Sequence, residues 1–105
     1  MVRGEIFRLR VPRATQGSEQ RGARYAVVVQ ADELFALSTV LVSPTSTAAP
    51  SRSFRPTVHV LGSSTRVLVE QTTAVSRDRL GDSVGRLSAS ELRDVDTALA
   101  LVLGL

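Results

Sequence analysis

Two runs, Tyr25-Ala26-Val27-Val28-Val29-Gln30 and Thr39-Val40-Leu41-Val42-Ser43, are rich in β-branched residues and almost unbroken in apolarity. A strand with one wet face alternates apolar and polar residues, so runs of this kind predict central strands covered on both faces. The chain has 105 residues, enough for one modest core, and reads as a single folding unit over residues 1–105. Around the two central runs the pattern is one of shorter strands. Phe7, Leu9 and Val11 alternate with Arg8 and Arg10, as on a half-buried strand. Thr57 to Leu61 follows Pro56, which favours an edge position, and Arg66 to Val75 reads as one longer strand with Val67, Val69 and Gln71 on one side. Five or six short antiparallel strands in so few residues predict a mainly β (α+β) fold, a small barrel or strongly curled sheet.

One helix is marked by its cap. Ser88-Ala89-Ser90-Glu91 has the form of a capping box, with Ser88 as N-cap. Leu92, Val95, Leu99, Val102 and Leu103 then recur at helical spacing, and Gly104 stops the helix. This apolar stripe is expected to seal one end of the barrel. Ser76 to Leu80 reads as a short helical turn before the segment Ser83 to Leu87. Two long loops remain, Arg10 to Arg24 and Pro44 to Pro56, and loops of that length in a small domain commonly carry function.

The charge is unevenly placed. All 13 basic residues are arginine, and residues 1 to 66 hold nine of them against four acids, while residues 67 to 105 hold four against six. Codon bias in a GC-rich genome accounts for the missing lysine but not for this asymmetry. A basic half with arginines in its loops suits a polyanion, because phosphate neutralisation releases counterions. There is no cysteine, so disulfides and thiolate metal sites are excluded. No leader-like apolar segment opens the chain and no run is long enough to span a bilayer, so the cytoplasm is the expected location.

The usual parts of hydrolytic catalysis are missing. The single histidine, His59, stands mid-strand between Val58 and Val60, and no His/carboxylate cluster has metal-ligand spacing. No metal and no cofactor is expected. No Gly-rich nucleotide loop or nucleophile elbow is present.

What the chain does carry is Gly17-Ser18-Glu19-Gln20-Arg21-Gly22-Ala23-Arg24 directly before the Val-rich run. A glycine-flanked polar loop delivers Arg24 to the edge of a rigid strand, where its guanidinium can meet a phosphate bidentately. Together with Arg3-Gly4-Glu5-Ile6, Val69-Glu70-Gln71, Arg79-Leu80 and Val84-Gly85-Arg86-Leu87-Ser88, in that order, this resembles the MazF/PemK family of toxin endoribonucleases over nearly the whole chain. The resemblance implies an SH3-like, MazF/CcdB-type barrel with a C-terminal helix. It implies cleavage of single-stranded RNA through the ribose 2′-OH, with Arg24 and Ser46 as catalytic residues, Thr45 and Thr47 being the alternatives one register step away. Ser18, Glu19, Gln20, Glu70 and Gln71 would orient Arg24 or meet the RNA, and the basic loop residues Arg52 and Arg55 would border its groove. It also implies a homodimer, neutralised by a small antitoxin with an acidic tail.

The sequence departs from the family pattern at Tyr25, where proline is usual, at Ser46, where threonine is usual, and at Thr72-Thr73, which replace Ile-Arg. Two other readings share the superfold. A CcdB-like gyrase poison depends on a C-terminal Trp-Gly-Ile, whereas this chain has no tryptophan and ends Leu103-Gly104-Leu105. A non-catalytic RNA- or antitoxin-binding module would have only Phe7, Tyr25, Phe35 and Phe54 as stacking surfaces, a poor platform for single strands.

Overall fold

The computed structural model describes residues 1–10 and 24–105. Val11, at the end of the first expected strand, and most of the first long loop lie outside them. The described residues form seven strands: β1 (Glu5–Leu9), β2 (Tyr25–Val28), β3 (Thr39–Ser46), β4 (Thr57–Val60), β5 (Ser63–Val67), β6 (Thr73–Ser76) and β7 (Leu80–Arg86). One helix, α1 (Ala89–Leu103), follows. All recorded pairings are antiparallel, and the hydrogen-bonded order is β4-β5-β3-β2-β1-β7, with β6 joined to β3.

Following β3 to its other partner gives a second path, β6-β3-β2-β1-β7. Ala26, Val28, Val40 and Val42 form one buried cluster on it, flanked by Phe7, Leu9, Val75 and Leu80. Val75 and Leu80 come from the two end strands of this path. In a flat five-strand sheet those ends would stand roughly 19 Å apart. Packing on one four-residue cluster therefore requires the sheet to curl into a half-barrel around it. The opposite face of the same strands carries Ile6, Val27 and Val29, which join Val58, Val60, Val67, Val69, Leu87, Val95 and Ala98 in a second core. Each apolar residue of the Ala26–Val29 run thus enters one core or the other, which is why the run does not alternate.

One strand is longer than expected, and the count exceeds the five or six expected because another divides. β3 does not stop at Ser43 but runs through Pro44 to Ser46. The stretch from Arg66 to Val75 is not one strand. It is the end of β5, a 3₁₀ turn at Val69–Gln71, and β6. The Thr72 hydroxyl donates to the Val69 carbonyl at 2.7 Å and meets the Ser43 hydroxyl at 2.7 Å, so the turn is held by buried hydroxyls instead of a ladder. β4 is an edge strand, as Pro56 indicates, and the turn at Arg77–Arg79 also forms, leading into β7.

Gly4 explains the Arg-Gly-Glu opening. Its φ is +91°, its N–H donates to the Val28 carbonyl at 2.7 Å, and a Cβ there would lie 3.3 Å from Leu92 Cδ2. The position favours glycine on both backbone and space. Arg3 beside it donates Nε to the Val29 carbonyl at 2.9 Å and pairs with Asp96 at 2.7 Å, tying the start of β1 to α1.

The helix begins at its capping box. Ser88 Oγ accepts from the Glu91 N–H at 3.1 Å, and Glu91 Oε1 accepts from the Ser88 N–H at 2.9 Å. Val95 and Ala98 are buried and Leu92 and Leu99 pack beside them, but Val102 and Leu103 stand exposed, so the stripe covers the second core only along its first three turns. The helix lies on the outer face of the curled sheet and does not plug its end. Glu91 Oε2 also accepts the His59 N–H at 2.9 Å and lies 3.3 Å from His59 Nδ1, linking helix to edge strand.

Burial alone would push the Glu91 carboxyl up, but hydrogen bonds from Ser88 and His59 outweigh it and hold it below its ordinary 4.5. A carboxyl depressed in the fold adds stability above its unfolded value and loses it as pH falls through the folded value. Glu91→Gln should therefore be less stable than the native chain at pH 7, by about 1 kcal/mol. The gap should close as pH drops below 4.5. Urea titrations across that range check this; a constant gap would mean that the charge contributes nothing.

Candidate functional site at the end of the half-barrel

Arg24 stands at the mouth of β2, exposed, with its backbone tied to the sheet: the Leu9 N–H donates to the Arg24 carbonyl at 2.8 Å. β2 and β3 pair as Ala26–Pro44, Val27–Ser43 and Val28–Val42. Extended by two residues, that register sets Arg24 across from Ser46. At the intervening position Thr45 Oγ1 donates to the Tyr25 carbonyl at 3.2 Å, which holds the strands together there. Residues opposite one another in an antiparallel pair project to the same face. Arg24 and Ser46 thus share the face on which Ala26 and Val28 line the half-barrel.

Ser46 is the last residue of β3, and its hydroxyl shapes the loop that follows. Oγ accepts from the Ala48 N–H at 3.2 Å and the Ala49 N–H at 3.1 Å. Its lone pairs are occupied while its own O–H remains a donor, the polarity that suits an anionic oxygen. Thr45 does not duplicate it. Thr45 pairs with Val67 on the core side, and its hydroxyl is spent on Tyr25. Thr47 is exposed just beyond the strand.

The loop arginines divide. Arg52 is exposed, with Nη1 on the Ser51 carbonyl at 2.8 Å. Arg55 is half-buried and turned inward: Nε and Nη2 reach Glu70 Oε2 at 3.0 and 2.6 Å, and Nη1 reaches the Pro50 carbonyl at 3.2 Å. The hydrogen bond from Arg55 holds the Glu70 carboxyl below its ordinary value. Glu70 and Gln71 lie on the 3₁₀ turn, not on a strand as expected, so Glu70 clamps the loop while Gln71 faces solvent. Ser18, Glu19 and Gln20 lie outside the described residues. His59 is exposed on the edge strand and engaged with Glu91. Among the described residues no three His, Asp or Glu side chains gather as a metal-binding group.

The structure also brings in a residue that the sequence reading did not single out. Arg66 on β5 is the direct partner of Ser46 across the β3–β5 pair. The available signal was the alternation Thr65-Arg66-Val67, in which the cation turns away from two buried neighbours.

Comparison with known proteins bears on the fold and the family. Residues 2–103 match the family model of the PemK-like, MazF-like toxins of type II toxin-antitoxin systems. The chain belongs to that family. It is 40% identical over its whole length to Mycobacterium tuberculosis Rv3098A, a candidate toxin, covering 99% of it. It is 36% identical to endoribonuclease MazF9 of the same organism, covering all of this chain and 98% of that one. A mycobacterial endoribonuclease solved with its cognate antitoxin shares the fold at TM-score 0.81 and 20% identity, over 100% of this chain and 96% of that chain. A MazE–MazF complex from Deinococcus radiodurans aligns at TM-score 0.80 and 26% identity with the same coverage.

The two loop arginines should behave differently on removal. Arg55→Ala strips the half-buried Glu70 of its partner and should cost about 1.5–3 kcal/mol, whereas Arg52→Ala should stay within about 0.5 kcal/mol of the native chain. Chemical denaturation of the two variants measures both; equal stabilities would mean that the clamp does not hold the loop.

Proposed function

We propose that this chain is a toxin endoribonuclease that cleaves single-stranded RNA at a site built on Arg24 and Ser46. What supports the reading is the β2–β3 register, which continued two residues beyond Ala26–Pro44 sets Arg24 across from Ser46, in a chain that matches the toxin family over residues 2–103. RNA suits a site without a histidine base because it brings its own nucleophile. The ribose 2′-oxygen attacks the adjacent phosphorus, the bond from phosphorus to O5′ breaks, and a 2′,3′-cyclic phosphate and a 5′-OH end result. The 2′-OH proton passes to water, and water protonates the leaving O5′. The protein aligns attacker and leaving group and stabilises charge on the non-bridging oxygens. The Arg24 fork supplies two parallel donors and the Ser46 hydroxyl a third. Arg24 acts here as a fixed cation, since a guanidinium does not give up its proton in a protein.

Two structural neighbours were solved with an antitoxin, and in this chain the same basic face would accept the acidic segment of a cognate antitoxin, which would end growth arrest by occupying the RNA site. Assembly as a two-fold homodimer fits the apolar side chains that one protomer leaves exposed, Leu34, Phe35 and Leu37 after β2 and Leu101, Leu103 and Leu105 at the end of α1. No helix among the described residues is long and apolar enough to cross a membrane.

Purified protein should cut RNA in excess EDTA, leaving 5′-OH ends, and should not cut DNA. Arg24→Ala should lower the cleavage rate by about 10²-fold or more with a cooperative fold retained, and Arg24→Lys should recover little of it. Activity that returns only with added divalent metal, or near-native cleavage by Arg24→Ala, overturns the mechanism. Light scattering at micromolar concentration should give a dimer; a fully active monomer would remove the need for a shared groove.

A further inference from the structure

Arg66 is the residue of the site face that the scheme above leaves without work. It sits on β5 directly opposite Ser46, and on its other side opposite Thr57 of β4. Cross-strand partners in an antiparallel pair project to the same face with Cβ atoms about 5 Å apart. Thr65 and Val67 are buried beneath β5, so Arg66 turns to the opposite face, the one that Ser46 occupies. Arg24 approaches Ser46 from the β2 side and Arg66 from the β5 side, which makes a cross-strand row of cation, hydroxyl and cation.

The state of its guanidinium separates Arg66 from the other arginines of this region. Its Nε is buried, with no hydrogen-bond partner among the described residues. It forms no ion pair among the described residues, where Arg3 has Asp96 and Arg55 has Glu70. Nε is enclosed, so the outer Nη groups of this half-buried side chain, which no carboxylate of the described residues neutralises, are what a ligand oxygen can reach. The fork geometry and the neighbouring hydroxyl select a phosphate oxygen.

From the row and the absence of a carboxylate partner among the described residues, we propose that Arg66 binds a phosphate of the RNA strand next to the one held by Arg24 and Ser46. The proposal rests on the endoribonuclease reading and adds a second anchor that fixes the strand's course from β2 across β3 to β5. Arg66 is then a binding residue that contacts substrate away from the reacting atoms. It should set affinity more than turnover.

Two measurements on Arg66→Gln test it. With mixed-sequence single-stranded RNA, the slope of log K against log salt should become shallower by about 0.7, the contribution of one neutralised phosphate on a single strand. On an RNA carrying a mapped cleavage site, KM should rise roughly tenfold with kcat within about twofold. A cooperatively folded Arg66→Gln with the native salt slope and KM overturns the proposal, and so does a variant that only melts earlier. Arg66→Lys retains the charge and the stem, so it should bind more weakly with the native slope; native affinity in that variant equally overturns it. The endoribonuclease reading is tested separately. If the native chain cuts no RNA that reading falls, while the salt slopes still decide whether Arg66 meets a phosphate.

Discussion

The fold turns on one strand that changes partners. β3 pairs with β2 along one edge, and along the other it pairs first with β6, from Thr39 to Val42, and then with β5, at Thr45 and Ser46. The exchange happens around Pro44. In a strand, a residue's N–H and C=O point to the same edge. The Pro44 carbonyl accepts the Leu68 N–H at 2.8 Å, so its absent N–H would have faced that edge too, in the gap where β6 has ended and β5 has not begun. A proline removes a ladder bond anywhere else in a central strand. Here it removes a donor that has no acceptor waiting.

That switch creates the site. While β3 belongs to the half-barrel, Val40 and Val42 fill the core that it wraps; once it leaves β6 for β5, its last residue is free of that core. Ser46 is thus carried out of the core on a rigid strand with Arg24 beside it. The loop after Ser46 is then fixed at two points, by the Ser46 hydroxyl on the Ala48 and Ala49 amides and by the Arg55–Glu70 clamp. Preorganised donors of this kind need no rearrangement when charge develops on a phosphate, which is what the proposed cleavage without a protein nucleophile would require.

What the sequence made legible was what is encoded locally. The capping box from Ser88 to Glu91 and the glycine at 104 fixed the helix ends, because caps depend on neighbouring residues only. The run Ala26–Val29 is covered on both faces as its apolarity implied, but Thr39–Ser43 is not: Thr39 and Leu41 stand exposed, because α1 and β4 cover β2 and not this part of β3. Pro44, by contrast, read as the start of a loop, since its tolerance depends on where two other strands begin and end. The 3₁₀ turn at Val69–Gln71 was hidden for a similar reason: it is held by Ser43, 29 residues away from Thr72, and the apolar alternation of Val67 and Val69 imitates a strand. Arg24 and Ser46 came from family motifs. Arg66 lay within a segment read only as strand, and its place beside Ser46 follows from a register that no local signal specifies.

The arginine count also takes on a different meaning in the structure. Several guanidinium groups act as staples on backbone carbonyls: Arg3 on Val29, Arg10 on Asp78, Arg55 on Pro50 and Arg79 on Arg10. A chain without lysine has used the fork to satisfy loop carbonyls that water or a cap would otherwise serve. The basic excess of residues 1 to 66 therefore overstates the charge offered to a polyanion, because Arg3 and Arg55 within it are paired with Asp96 and Glu70. What remains for a polyanion is set by position rather than by number. An arginine whose carboxylate partner lies within the fold is a strut, and one that shares a face with the strand-end hydroxyl and has no such partner among the described residues is a candidate contact. By that criterion the basic surface of this toxin narrows from a half of the chain to the row that crosses β2, β3 and β5 at Ser46, with Arg52 on the loop above it.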